Sequence, residues 1–349
     1  MTDGQPDSST DAPRGPSHLP ALDGIRGLAI LMVLAAHVFG MPGGVFGVDL
    51  FFVLSGFLIT RLLLADRTRP DGYFRRFYIR RLVRIAPPYL VMLAIILTTS
   101  ASVRPYWWVF VFYLSDFPLR PSPALGHTWS LAIEEQFYLV WPLVVRRTAP
   151  ANILRICAAC LVVAAGVRLM IPHLVESVEE ARYYFSFAPF SRTDGLFVGA
   201  GVAVLASIAP AWLDRWSSAV MIFGCVVIAG LAVTHQFSLS TMSPLMAVFG
   251  FPAIALVFGA LVWKGSCAGR NGLFGRVFTL PALRRLGRVS YTVYLAHVPM
   301  LVLFETHKVA QTLGRIGSRL TAVLLAYVIA EASWRVLERP MMRLKERWT

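Results

Sequence analysis

The chain has 349 residues, 56% hydrophobic and only 15% charged, and its mean hydropathy is +0.62. A soluble domain carries about 25% charged residues, so this composition excludes a water-soluble globular protein. The net charge of +14 would suit a nucleic acid, but the arginines stand at the ends of apolar runs as the positive-inside rule requires; the bilayer, and no nucleic acid, is the expected partner.

The first twenty residues are polar, rich in Pro, Ser and Asp, and lack the apolar stretch of a signal peptide. They read as a disordered cytoplasmic tail, 1–20. A transmembrane domain, 21–337, and a short basic cytoplasmic tail, 338–349, follow. Apolar runs set against helix breakers predict an all-α polytopic membrane protein with about ten spans, near 21–39, 47–64, 85–100, 128–145, 153–171, 189–206, 217–234, 244–263, 289–304 and 320–337. The aromatic stretch Tyr106 to Ser115 is too short for a crossing and fits a re-entrant or interfacial segment. With both termini cytoplasmic, the loop from Arg61 to Arg84, the turn at Arg146 and Arg147, the segment from Lys264 to Arg288 and the basic tail all fall inside, while Glu176, Glu179 and Glu180 fall outside. A full span at Tyr106 would invert every later loop. Cys157, Cys160, Cys225 and Cys267 lie in or beside apolar segments without a zinc-type pattern, and no metal is expected.

Ionisable groups within spans are costly and point to function. Arg26 and His37 are eleven residues apart, about three helical turns, which places both on one face some 16 Å apart along the axis. The plainer alternative is a snorkelling arginine and a hydrogen-bonded core histidine. Asp49 enters the second span across a short loop from His37, where a carboxylate could fix an imidazole tautomer; equally, it could cap the helix. Ser55 and Gly56 suit close helix packing. Arg80, Arg81 and Arg84 precede Pro87 and Pro88, which should break or tilt the helix start. Arg81 and Arg84, nearest the membrane, suit phosphates. Glu134 and Glu135 project about 100° apart, so one of them should face a given cavity. Arg192 and Asp194 can pair with each other, and His297 reads as a helix-end residue before Pro299.

Together the segments LDGIRGLAILMVLAAH, GVDLFFVLSGFLI, RRLVRIAPPY, HTWSLAIEEQFYLVWP, RTDGLFVGA, LGRVSYTVYLAHVP and ERPMMR, in that order from Leu22 to Arg343, resemble the bacterial membrane-bound acyltransferase-3 family, whose members O-acylate surface glycans and some macrolides. The resemblance implies transfer of an acyl group, commonly acetyl, from cytosolic acyl-CoA (acetyl-CoA) to a hydroxyl of a glycan or macrolide acceptor. It carries the family's essential pair onto Arg26 and His37, its Arg-x-x-Arg onto Arg81 and Arg84, and its acidic residue onto Glu134. VYLAHVP departs from the family's usual LYLWHWP around His297. No hydrolase-like segment follows, which implies a stand-alone membrane version.

The expected mechanism has Arg81, Arg84 and Arg26 holding the donor's phosphates. His37, oriented by Asp49 or Glu134, serves as general base; an acyl-His intermediate is a second route. A transporter or flippase using the same charges as a proton relay is the rival reading.

Overall fold

The computed structural model describes residues 19–69, 71–119, 122–234, 244–268 and 272–344. Most of the polar tail at 1–20, and residues 345–349 of the basic tail, lie outside the described residues. The helices in chain order are α1 (Pro20–Phe39), α2 (Gly47–Asp66), α3 (Tyr73–Thr99), α4 (Trp107–Val111), α5 (Trp129–Arg147), α6 (Pro150–Leu174), α7 (Val178–Phe187), α8 (Asp194–Ile208), α9 (Pro210–Thr234), α10 (Phe251–Cys267), α11 (Leu273–Phe278), α12 (Pro281–Thr306), α13 (Ala310–Ser333) and α14 (Arg339–Leu344). Among the described residues there is no strand.

Every apolar run coincides with a helix, and eight helical stretches are long and apolar enough to cross a membrane. The two remaining runs differ for identifiable reasons. The helix α5 carries Glu134, Glu135, Arg146 and Arg147 within 19 residues. At 15 residues, α8 extends only about 22 Å, short of a hydrocarbon core of roughly 30 Å. The aromatic stretch at Tyr106 forms the five-residue α4, too short to span. Both the chain's apolarity and this architecture make it a multi-pass membrane protein.

Local sequence explains the first hairpin. Pro20 occupies the first turn of α1, where its missing N–H costs nothing. Gly40 ends the helix in the left-handed region (φ 65°), its N–H returning to Ala36 O at 2.9 Å. The chain turns over Met41 to Phe46, so α2 runs back against α1.

Glycines set the closest approaches. Gly287 of α12 lies against the Asp23 carbonyl of α1, and Gly199 of α8 against the Val53 carbonyl of α2; a methyl group at either would collide with backbone, as expected where small residues draw membrane helices together. The face of α2 made by Asp49, Phe52, Val53 and Gly56 is thereby committed to α8.

Pro87 and Pro88 do not break a helix start. Continuous from Tyr73 to Thr99, α3 holds both prolines inside it, so Arg75, Arg76, Arg80, Arg81 and Arg84 occupy helical turns rather than a loop. Buried Asp66, at the end of α2, holds those turns by ion pairs to Arg80 (3.2 Å) and Arg76 (3.7 Å). The Tyr291 hydroxyl of α12 donates to Ile85 O (3.1 Å) just before the prolines. Docking on both sides supports the turn that proline would otherwise weaken.

Candidate active site

A cavity of about 410 Å³ opens among α1, α2, α3, α5 and α12. Its wall on α2 runs from Val48 to Leu62, about 21 Å of helix at about 1.5 Å per residue. Arginines gather toward the Leu62 end: Arg26 from α1, Arg61 from α2, and Arg80, Arg81 and Arg84 from α3. Arg26 is tied to Asp23 (3.0 Å) and Arg80 to Asp66 (3.2 Å). Among the described residues, Arg61, Arg81 and Arg84 have no carboxylate within ion-pair distance. Arg26, Arg81 and Arg84 are close enough to repel one another, and a cavity with that excess of positive charge suits a polyanion.

The middle of the cavity is polar. Ser55 Oγ donates to Glu134 Oε1 at 2.8 Å, and the Tyr138 hydroxyl donates to Glu134 Oε2 at 3.1 Å. The Arg81 guanidinium lies over the Tyr138 ring, 4.3 Å from its centroid. Ser55 therefore contributes a hydrogen bond as well as packing. Both Glu134 and Glu135 border the cavity, contrary to the expectation that one would. Their directions diverge by about 100°, but the cavity is broad enough, between α2 and α12, to meet both.

At the far end the cavity wall includes Ser130 and Tyr294. Their hydroxyls are 2.7 Å apart, and Tyr294 also donates to His127 O at 3.0 Å. Three imidazoles lie behind Tyr294. The His297 ring is 5.3 Å from that of Tyr294, 5.3 Å from that of His127 and 4.9 Å from that of His37. His297 is fully buried within α12, not at a helix end, because α12 continues past Pro299 to Thr306. His37 is exposed and does not border the cavity. No group of residues able to hold a metal ion is present among the described residues.

The tautomer of His37 follows from its partner. Its Nδ1 lies 2.9 Å from Val33 O, and a carbonyl can only accept, so Nδ1 carries the hydrogen and Nε2 keeps the lone pair. A backbone carbonyl thus takes the orienting role expected of Asp49 or Glu134. Asp49 is bound instead to Arg192 (3.0 Å), because the face of α2 that carries it packs on α8, whereas His37 meets α12. Arg192 and Asp194 do not pair with each other. Residues two apart at a helix start point to opposite sides, and each finds another partner: Arg192 takes Asp49, and Asp194 takes the buried Arg168 at 2.5 Å.

Arg168 and His127 escaped the sequence reading, although each left a signal. Arg168 is an arginine inside the apolar run 153–171, which alone marks a buried partner. It bonds to Asp194, Ala164 O and Ala247 O; Ala247 stands in the π-helical turn Met246–Gly250, which offers a side-chain donor access to the backbone. His127 heads the segment HTWSL, overshadowed there by the glutamates that follow.

The acyltransferase domain profile matches residues 19–331. The chain is 30% identical to O-acetyltransferase OatA of Staphylococcus aureus, over 94% of this chain and 58% of the relative's length. It is also 30% identical to peptidoglycan O-acetyltransferase OatA of Listeria monocytogenes, over 93% of this chain and 56% of that relative. The chain thus spans a little over half the length of these relatives. No solved structure matches it. With the profile covering nearly the whole bundle, and the cavity and the histidines both inside the matched region, the chain belongs to the acyltransferase-3 family.

Proposed function

We propose that this chain is an integral-membrane O-acyltransferase that takes an acyl group, acetyl in the first instance, from acyl-CoA and delivers it to a hydroxyl of a cell-wall glycan on the opposite side of the bilayer. The observation that carries the reading is one elongated cavity, arginine-lined toward one end and reaching Tyr294 and Ser130 at the other, with His37 beyond Tyr294 and His297. Arg26, Arg81 and Arg84 hold the phosphates of the donor. Its pantetheine arm extends past Ser55 and Glu134 along the roughly 21 Å of α2 that lines the cavity, and its thioester lies near Tyr294 and Ser130. With both termini cytosolic, the arginine end opens to the cytosol, where acyl-CoA is found. His37, with Nδ1 pinned and Nε2 available, removes the acceptor's proton as its oxygen attacks the acyl carbon. The similarity to a peptidoglycan O-acetyltransferase of Listeria monocytogenes favours a glycan acceptor over a macrolide.

The test uses membranes containing wild-type protein or His37→Ala, labelled acetyl-CoA and soluble peptidoglycan fragments. The expected result is label on the glycan with wild type and none with His37→Ala at equal expression. Equal labelling by both would remove His37 from the reaction.

A further inference from the structure

Of the two glutamates that border the cavity, one is engaged and one is not. Glu134 accepts from Ser55 of α2 through Oε1 (2.8 Å) and from Tyr138 through Oε2 (3.1 Å). Among the described residues, Glu135 receives no hydrogen bond and makes no ion pair, although it lines the same cavity. The polar groups around it are committed elsewhere. Tyr89, Tyr113 and Tyr291 all lie within electrostatic reach of its carboxylate, but Tyr89 donates to Phe110 O (2.8 Å) and Tyr291 to Ile85 O (3.1 Å), while the ring of Tyr113 stacks on Tyr89 (4.9 Å between centroids). The neighbouring Gln136 spends its amide hydrogens on Tyr113 O and Asp116. Arg81 attracts Glu135, yet its guanidinium rests on the Tyr138 ring and not on either glutamate.

A carboxylate inside a membrane span is costly without hydrogen-bond donors. Ionised, it can only accept, with room for about four bonds, so Glu135 offers the contents of the cavity an acceptor and nothing else. Its level in the cavity narrows what those contents are. Ser55, the partner of Glu134, stands midway between Val48 and Leu62 on the α2 wall, about 10 Å of helix from each, and Glu135 is one residue further along α5, about 1.5 Å. Phosphates belong with the arginines toward Leu62 and are repelled by a carboxylate at mid-cavity. An uncharged segment that carries N–H groups is not. In acyl-CoA the stretch between the pyrophosphate and the sulfur is such a segment: it holds two amides and no charge.

We propose that the Glu135 carboxylate accepts hydrogen bonds from the amide N–H groups of the donor's pantetheine arm, and that this contact separates acyl-CoA from other phosphate-bearing molecules that could lodge among the arginines. The proposal rests on the reading of the cavity as the donor site. The two adjacent glutamates then have different tasks. Glu134 is held by the protein itself, between α2 and Tyr138, whereas Glu135 is held by the substrate. Glu135 is a binding residue with no part in the proton transfer.

The experiment measures donor binding and steady-state transfer to soluble peptidoglycan fragments by full-length wild type, Glu135→Ala and Glu135→Gln. The donors are acetyl-CoA, two analogues in which one or the other pantetheine amide N–H is replaced by an ester oxygen, and 3′-dephospho-acetyl-CoA, which reports on the arginine end alone. Wild type is expected to bind at least one ester analogue about 10- to 100-fold more weakly than acetyl-CoA, the range of a charge-assisted hydrogen bond. Glu135→Ala should bind acetyl-CoA more weakly by a similar factor, keep its kcat, and no longer distinguish that ester from the amide. Glu135→Gln, a neutral acceptor, should fall between. Loss of the 3′-phosphate should cost all three proteins the same factor. Equal binding of acetyl-CoA and both esters by wild type would overturn the proposal without recourse to any variant. So would a Glu135→Ala protein that loses affinity for amide and ester donors by one common factor, since Glu135 would then act on Arg81 and not on the arm. If the alanine variant does not fold, the isosteric Glu135→Gln decides: discrimination as strong as that of wild type overturns the proposal, and weakened discrimination supports it. Failure of wild type to bind acetyl-CoA at all would defeat the donor site itself, whereas tight binding with undiminished discrimination in the variants defeats the role of Glu135 alone.

Discussion

Arg192 and Asp49, 143 residues apart in sequence, close a buried ion pair at 3.0 Å between the start of α8 and the first turn of α2. The Arg192 guanidinium also lies 4.0 Å from the centroid of Phe251, and Arg168 approaches the same ring at 5.6 Å. Two cations thus share one aromatic ring, each neutralised by its own aspartate. Removing one partner of a buried pair leaves a charge with no compensation, at a cost of about 3–5 kcal/mol, whereas replacing both with apolar groups of similar volume is often near neutral. Asp49→Asn is therefore expected to lower the thermal midpoint of the detergent-solubilised protein sharply, and Asp49→Leu combined with Arg192→Met to recover most of it. A double variant no more stable than the single one would show that the pair does more than neutralise itself.

The arginines proposed to hold the donor should separate from His37, the proposed base, in steady-state kinetics. Charge-assisted hydrogen bonds contribute about 1.5–3 kcal/mol, so Arg81→Ala and Arg84→Ala should each raise KM for acetyl-CoA by roughly 10- to 100-fold with little change in kcat, the signature of lost binding that is uniform along the reaction. Arg81→Lys keeps the charge but loses the flat packing on Tyr138 (4.3 Å), and should fall between wild type and alanine. An unchanged KM in both alanine variants would reduce these arginines to topological anchors.

The membrane helices were legible in the sequence because their signal is local: an apolar run is long enough or it is not, and each predicted run is a helix here. Arg26 and Glu134 were legible as cavity residues for the same reason, since a charge within a span has few other places to go; Arg81 and Arg84, read as phosphate ligands at the edge of a span, border the same cavity. What sequence does not carry is the rotation of one helix against its neighbour. That rotation sends Asp49 to α8 instead of His37, splits Arg192 from Asp194, and brings His297 from α12 onto His37. The continuity of α3 through Pro87 and Pro88 depends likewise on Asp66 and Tyr291, which come from other helices.

Asp116 lies in the loop between α4 and α5, fully buried, with the Gln136 amide donating to both its oxygens (3.1 and 3.0 Å). Burial pushes its carboxyl up to about 6, only partly opposed by Gln136. The folded value is thus above the unfolded one, so ionisation is harder in the folded chain. The group is mostly neutral in both states at or below about pH 4, opposes folding increasingly as pH rises from about 4 to about 6, and by a constant amount above that. Asp116→Asn should consequently raise the thermal midpoint at pH 7.5 and leave it nearly unchanged at pH 4. An equal effect at both values would mean that the loss or gain comes from packing and not from charge.

Exposure gives His37 a property that its buried neighbours lack. It stands near the end of α1, two residues before Phe39, with its Nδ1 hydrogen on Val33 O and the other nitrogen available. In His37→Gly the ring's place is open to solvent, so a small imidazole from solution can enter it, meet the same carbonyl and present the same lone pair. His37→Gly is expected to be inactive in buffer and to regain transfer as imidazole is added, with a rate that follows the concentration of the neutral base and not of its protonated form. Adding 1-methylimidazole, whose neutral form has no N–H to donate to Val33 O, should restore less. Equal rescue by the two would mean that Val33 does not orient the base, and no rescue by either would mean that the ring is needed for the packing of α1 against α12 and not for the proton.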